Sequence, residues 1–250
     1  MAILFISDLH LSEHEPHITQ LFLYFLQYQA REAEALYILG DLFEAWAGDD
    51  DLNPHNQSII KALKQLSDTG VTIYFMHGNR DFLIEKRFAE ASGCKLIADP
   101  CIINLYGTAT LLMHGDTLCT RDITYLKFRK RARHPLTKWL FLLIPLMIRL
   151  KLVKRIRGIS KSQGKKLAQE ITDVTPAEIP IIMTQHQVQL LIHGHTHRPA
   201  LHLFTMEDKF VSRIVLSDWV EQGNVLICSS DGTRKLVYFD TTNRFTGLIY

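Results

Sequence analysis

Short apolar runs punctuate the chain, and each stops at small or polar residues. Ile3–Ile6 runs into Ser7-Asp8-Leu9-His10, Leu36–Leu39 into Gly40-Asp41, and Val71–Met76 into His77-Gly78-Asn79-Arg80-Asp81. Further on, Thr110–Met113 meets His114-Gly115-Asp116, and Gln189–Ile192 meets His193-Gly194-His195-Thr196-His197. Runs this short, rich in β-branched residues and closed by glycine, predict buried strands. Helix-period stretches lie between the early ones, over His17–Ala30, Asn56–Thr69 and Leu83–Ser92. The alternation predicts an α/β sandwich flanked by helices, with functional groups at the strand ends. After His197 the helices give way to Leu201–Met206, Val211–Leu216, Val225–Cys228 and Leu236–Phe239, which are expected to complete the second sheet. The tail from Thr241 to Tyr250 carries no clear pattern.

One stretch breaks this rhythm. From Asp122 to about Ala177 the chain reads as helical and basic, and it carries the apolar run Trp139–Ile148 with Pro145 inside it. Ten residues are too few to span a membrane, which takes ~20. The segment is expected to be a helical lid, 122–177, inserted into a core made of 1–121 and 178–250. Charge sharpens the division. Lys127 to Lys166 holds fourteen Lys or Arg and no Asp or Glu, so the rest of the chain sets 14 basic residues against all 26 acidic ones. A net charge of +2 hides an acidic body with a basic middle. The start of the chain reads directly as a strand, without a signal peptide. Four cysteines without a CxxC spacing point to a reduced, cytoplasmic protein.

Five strand-end motifs carry the chemistry: Asp8-x-His10, Gly40-Asp41, Gly78-Asn79-Arg80-Asp81, His114-Gly115-Asp116 and Gly194-His195-Thr196-His197. The D-x-H and H-x-H spacings put two side chains on one side of an extended or just-ending strand. Glycines allow tight turns and close backbone approach. Carboxylate, imidazole and amide ligands together suit Mn²⁺, Fe²⁺ or Zn²⁺ better than Ca²⁺. A pair of such ions would polarise a phosphoryl group and activate water near neutral pH.

This ordered set resembles the calcineurin-like metallophosphoesterase superfamily over Phe5–His197. The resemblance implies that Asp8, His10 and His197 bind one metal, Asn79, His114 and His195 the other, and that Asp41 bridges them. Asp116 is left an orienting role, and His77 and His193 packing or supporting roles. Many members carry Asn-His at the third motif, where the His protonates an alcohol leaving group; here the pair is Asn79-Arg80. Arginine cannot act as an acid near neutral pH, but it grips phosphate bidentately. That favours a leaving group that is itself a phosphate monoester, whose second pKa is about 6. The plainer reading has Arg80 merely pairing with Asp81.

The longer strings, such as Tyr37-Ile38-Leu39-Gly40-Asp41-Leu42-Phe43-Glu44-Ala45-Trp46 and Leu191–Pro199, resemble the UDP-2,3-diacylglucosamine hydrolase family of the lipid A pathway. That resemblance implies two Mn²⁺, a pyrophosphate substrate cleaved at the α-phosphorus to UMP and 2,3-diacylglucosamine 1-phosphate, and a peripheral place on the cytoplasmic face of an inner membrane. It also implies substrate contacts at Asn79, Arg80, Asp122, Ser160 and His195. The family commonly has Asn and Lys four and seven residues past the serine; here Gly164 and Leu167 stand there, with Lys165 and Lys166 alongside. Independently, Trp139–Val153 offers an apolar slot for acyl chains, and Arg157, Lys161, Lys165 and Lys166 offer cations for the pyrophosphate. The same mixture suits docking on anionic lipid. Nucleic acid competes as a partner for so basic a segment, yet one Trp and two Phe beside a long aliphatic run favour lipid over base stacking. No obligate protein partner is inferred. The rival functions are another two-metal phosphodiesterase and a metal-stabilised scaffold without turnover.

Overall fold

The computed structural model describes residues 2–164, 171, 173–206, 208–240 and 245–249. Strands β1 (Ala2–Ile6), β2 (Ala35–Ile38), β3 (Thr72–Met76) and β4 (Cys94–Ile97) pair in parallel, in that order. Their crossovers are α1 (Pro16–Tyr24), α2 (Pro54–Asp68) and α3 (Lys86–Ser92). The free edge of β1 takes β10 (Gly223–Ser229), followed by β11 (Arg234–Phe239) and β12 (Phe245–Ile249), all antiparallel. A second sheet has the order β5 (Cys101–Leu105), β6 (Thr108–Met113), β7 (Leu190–His193), β9 (Lys209–Val215), β8 (Ala200–Met206).

Two strands therefore depart from expectation. Val225–Cys228 and Leu236–Phe239 do not complete the second sheet; they extend the first. Their alternation fits either sheet, because Val225 faces the helix side while Leu226 and Cys228 face the sandwich interior. Edge choice is a matter of which strand remains unpaired, and that is not a local property. Strands β4 and β5 escape the apolar-run signal because polar and exposed residues interrupt them.

Burial explains why the other strands read as continuous apolar runs. On β1, Ile3 and Phe5 pack between the sheets with Tyr37, Leu112, Ile192 and Ile214, while Leu4 and Ile6 pack beneath the helices with Phe22, Ile59 and Leu63. The outer face of the second sheet, through Leu111, Met113 and Leu191, is covered by α7 (Glu178–Gln185), which contributes Ile179 and Met183. Local signals set the helix ends. Pro16 opens α1, and Asn53 caps α2 by accepting from Asn56 N at 2.8 Å. α1 stops short of the expected Ala30, passing at Phe25 into a wider turn. α3 starts at Lys86 rather than Leu83; the Asp49 carboxylate accepts from Phe88 N at 2.9 Å, and Gly93 at φ +74° ends the helix.

Between β6 and β7 the chain leaves the sheets for α4 (Ile123–Ala132), α5 (Pro135–Leu142) and α6 (Leu146–Gly164). α4 and α5 bury no residue fully, and Trp139 and Met147 are 58% and 68% exposed. Arg149 is the exception. Buried, it donates to Ala47 O at 2.5 Å and Ile144 O at 2.8 Å and pairs with Asp50, which stitches the helical segment to the core. No helix among the described residues is long and apolar enough to cross a membrane.

Candidate metal centre

The loops that end β1, β2, β3, β6 and β7 converge at one edge of the sandwich. Asp8, His10, Asp41, His195 and His197 all adopt left-handed backbone, with φ of 58°, 52°, 53°, 70° and 54°. Such conformations cost about 1–3 kcal/mol each in a non-glycine residue and persist only where surroundings impose them. The D-x-H and H-x-H pairs do converge, but through these left-handed turns rather than through the pleat of a strand. Glycines let the loops touch one another. A Cβ on Gly78 would lie 2.1 Å from Asp41 Oδ1, and one on Gly194 would lie 2.2 Å from Asp8 Oδ2.

Two clusters result. Asp8, His10 and His197 gather at one point, with His10 Nε2 at 3.2 Å from His197 Nε2 and His197 Nε2 at 3.4 Å from Asp8 Oδ1. Ser7 Oγ and His195 N, at 2.6 and 2.7 Å, saturate Asp8 Oδ2 and turn Oδ1 towards the histidines. On the other side, Asn79 Oδ1 lies 2.9 Å from His114 Nε2 and 3.1 Å from His195 Nδ1. His114 Nδ1 donates to Leu39 O at 2.9 Å, which fixes the ring and leaves Nε2 facing the centre. Asp41 lies between the clusters, 3.8 Å from His114 Nε2 and 3.9 Å from His10 Nδ1.

The electrostatics are those of a site made for cations. Burial alone would lower His197, yet hydrogen bonds to Asp218 and Asp8 hold it up at about 10. Burial likewise opposes charge on His114, but Asp41, Asp8, Asp116 and Asp99 raise it to about 9. His195 is pushed down to about 4 by burial and by His114. Asp8 sits well below the carboxylate range: burial acts upwards, but the His197 hydrogen bond and neighbouring imidazoles outweigh it. Asp8 Oδ1 is buried with only the His197 ring near it, at 3.4 Å, and His10 Nδ1 is buried without a hydrogen bond. Buried polar atoms normally have close partners, so ligand atoms left this short of them beside one another fit a divalent cation.

The remaining expected residues divide. Arg80 does not pair with Asp81. Its Nε lies 3.2 Å from Asp41 Oδ2 and its Nη1 pairs with Glu44, because Asp81 is already occupied, accepting from Gly78 N and Leu42 N at 2.8 Å each. Arg157 reaches the same Glu44 at 2.8 Å from α6. Asp116 is buried beside the centre and accepts from Arg129 Nε at 2.6 Å. Asp122 caps α4 by accepting from Tyr125 N at 2.9 Å. His77 bonds to Ile84 O at 2.7 Å, and His193 to Gly194 O at 2.8 Å, so both are engaged by backbone. Ser160 is in α6, with its side chain outside the description, and Lys165 and Lys166 lie outside the described residues.

Sequence reasoning missed Asp218 and Glu44. Asp218 Oδ2 is 3.0 Å from His197 Nδ1 and orients that ring. It follows the end of β9 just as Asp8 follows β1, so the strand-then-acid pattern pointed to it. Glu44 had no such signal, since its role depends on two arginines from distant segments.

The calcineurin-like phosphoesterase family model matches residues 1–199. A curated UDP-2,3-diacylglucosamine hydrolase of Pseudomonas entomophila (strain L48) is 54% identical over 230 residues, 92% of this chain and 96% of the relative. One from Pseudomonas aeruginosa (strain ATCC 15692) is 52% identical, over 94% of this chain and 98% of its own. In fold the chain is similar to vacuolar protein sorting 29 from Cryptosporidium parvum, with a TM-score of 0.52 at 12% identity, covering 100% of this chain and 97% of that one. The chain thus belongs to the calcineurin-like phosphoesterases and, within them, to the UDP-2,3-diacylglucosamine hydrolase family.

Proposed function

We propose that the protein hydrolyses the pyrophosphate bond of UDP-2,3-diacylglucosamine with two Mn²⁺-type ions, releasing UMP and 2,3-diacylglucosamine 1-phosphate for lipid A synthesis. One observation carries the reading: a chain more than half identical to hydrolases of that name, over nearly their full length, also gathers seven candidate ligands at one buried centre. Asp8, His10 and His197 would hold one ion, Asn79, His114 and His195 the other, with Asp41 shared. When bound, such a pair lowers the pKa of a water and neutralises phosphoryl oxygens.

The chain's own residues do the rest. Arg80 offers a guanidinium fork that binds the diphosphate and supplies no general acid. None is required: after attack at the α-phosphorus the leaving group is a phosphate monoester, whose second pKa is about 6. Arg157, converging with Arg80 on Glu44, brings a second guanidinium from α6 towards the same region. Asn79, His195, Asp122 and Ser160 would complete the substrate contacts, with Lys165 and Lys166 in support.

The segment 122–177 acts as a cap on a core formed by 1–121 and 178–250. Exposed Trp139, Leu140, Leu143, Met147 and Ile148 supply an apolar surface that suits acyl chains, and exposed Lys151, Lys154 and Arg155 beside them suit an anionic leaflet. Each such cation adds about 1 kcal/mol near the surface. The protein then works peripherally on the cytoplasmic face of the inner membrane.

The test is Mn²⁺-dependent release of UMP from UDP-2,3-diacylglucosamine beside UDP-N-acetylglucosamine. Cleavage of the acylated compound alone supports the chemistry and the cap's role. Equal cleavage of both keeps the chemistry and reassigns the cap to membrane docking. Failure on both, with Mn²⁺ bound, sinks the proposal in favour of another two-metal phosphodiesterase.

A further inference from the structure

One face of α4 reaches every part of a single metal subsite. Tyr125, Arg129 and the C-cap residue Arg133 recur at intervals of four residues, which places them in a row along one side of the helix and its end. The Tyr125 hydroxyl donates to Asp116 Oδ2, and its ring stacks on His195, 6.4 Å between centroids at 24°. Arg129 Nε donates to Asp116 Oδ2 at 2.6 Å and its Nη2 to Asp99 Oδ2 at 2.9 Å. Asp99 Oδ1 in turn accepts from the backbone N of His114 at 3.2 Å. Arg133 Nη2 donates to Gly78 O at 2.8 Å, the carbonyl that precedes Asn79, while its guanidinium lies 5.8 Å over the Phe82 ring. The row therefore ends on His195, on both flanks of His114 and on the residue before Asn79.

The other cluster is held differently. Asp8, His10 and His197 draw their contacts from Ser7, from His195 N, from one another, from Asp218 and from Glu44, which lies 3.8 Å from His10 Nδ1 and is reached by Arg157 of α6 rather than by α4. We propose that Tyr125, Arg129 and Arg133 are positioning residues for the Asn79–His114–His195 subsite alone, so that the first helix of the inserted segment is a working part of the metal centre. The inference rests on the ligand assignment proposed above. Its chemistry is specific to these side chains. Arg129 spans two carboxylates with separate edges of one planar guanidinium, a fork that the compact ammonium of a lysine does not reproduce, and it neutralises the buried Asp99 and Asp116 next to His114. Loss of a group that orients a ligand in this way lowers metal affinity by roughly 10- to 100-fold.

The experiment counts ions. Chelator-stripped full-length protein is reloaded with Mn²⁺, with stoichiometry and affinity read by equilibrium dialysis and the environment of each ion by electron paramagnetic resonance. His114→Ala and His197→Ala serve as references for the two subsites. Arg129→Gln and Arg133→Met are expected to weaken one ion by roughly 10- to 100-fold and leave the other within about threefold, with the retained spectrum matching that of His114→Ala. Tyr125→Phe removes one hydroxyl and keeps the ring, so it keeps the test open if the arginine variants misfold; it should weaken the same ion by a few-fold. Equal weakening of both ions, no weakening of either, or loss of the ion that His197→Ala removes would overturn the inference. A wild type holding fewer than two ions, or references that lose the same ion, would instead overturn the ligand assignment beneath it.

Discussion

The strand-end loops and the helical segment between β6 and β7 treat polarity in opposite ways. The loops after β1, β2 and β6 carry Asp8, Asp41, His114 and Asp116 into full burial, while α5 and the start of α6 leave Trp139, Leu143 and Met147 more than half exposed. Burying a polar group without partners costs several kcal/mol, so the loops must over-determine each side chain. They do so with left-handed backbone, glycine contacts and bonds such as Ser7 and His195 N on Asp8. The helices meet no such demand. They keep an apolar surface outside the core, and contiguous surface of that kind marks a binding face. On the function proposed above, the chemistry belongs to the buried loops and the choice of acylated substrate to the exposed faces of α5 and α6.

That division predicts separable losses. The largest is expected at Asp41→Ala, which removes the carboxylate between the two clusters: turnover should fall by at least roughly 1,000-fold. Binding to anionic vesicles, measured by co-sedimentation, should not change. A variant that lost both together would mean that the regions are not independent. Next comes the exposed face. Trp139→Glu combined with Leu143→Glu should reduce kcat/KM on the acylated substrate by roughly 100-fold, about the worth of burying one or two apolar side chains. Activity on a non-acylated UDP-sugar should stay within about twofold. Equal kinetics on the acylated compound would remove the acyl-slot idea.

The same contrast decides what could be read from the sequence. All five parallel strands that end at candidate ligands were legible, because strands covered on both faces give unbroken apolar runs that end abruptly at polar residues. Asp8, Asp41 and His114 were legible for the same reason. Other parts depend on partners far away in the chain. Glu44 is remarked only once Arg80 and Arg157 both arrive at it, and Asp99 only once Arg129 and the His114 amide do. The basic row of the insert was visible as charge, yet charge alone does not distinguish Arg149, buried against Ala47 O, from the exposed Lys151 two residues on. β12, which pairs with β11, came from a tail without a readable pattern.

Arg149 is the buried one among several side chains that join the two regions, so it tests how firmly α6 is attached. Arg149→Met keeps the apolar stem and removes the donors to two backbone carbonyls and to Asp50. Three bonds at about 1 kcal/mol each, in a chain of this size, should lower the melting temperature by roughly 6–12 °C. Limited proteolysis should cut between α4 and α6 before it cuts the core. Cleavage spread evenly over both regions would show that the junction stabilises the whole molecule rather than the attachment.

The smallest effect concerns protons, and it belongs to the loops alone. In the metal-free protein His114 and His197 stand at about 9 and about 10, above the ordinary histidine value of 6.5. Both folded values are raised, so the stability the two imidazolium groups give is fully present below pH 6.5. It is lost as pH climbs through 9 and then 10. Metal binding needs the neutral rings, and each ion that takes one up expels a proton. The chelator-treated protein should therefore melt at a lower temperature at pH 9.5 than at pH 6.5, while Mn²⁺ affinity rises over the same interval by up to tenfold per pH unit for each proton expelled. Vesicle binding, assigned above to the helical segment and not to these loops, should stay level while these two curves cross. Isothermal titration in buffers of different ionisation enthalpy counts the protons directly. A count of zero at pH 7 would mean that His114 and His197 are already neutral, and that the carboxylates around them are balanced by some other cation.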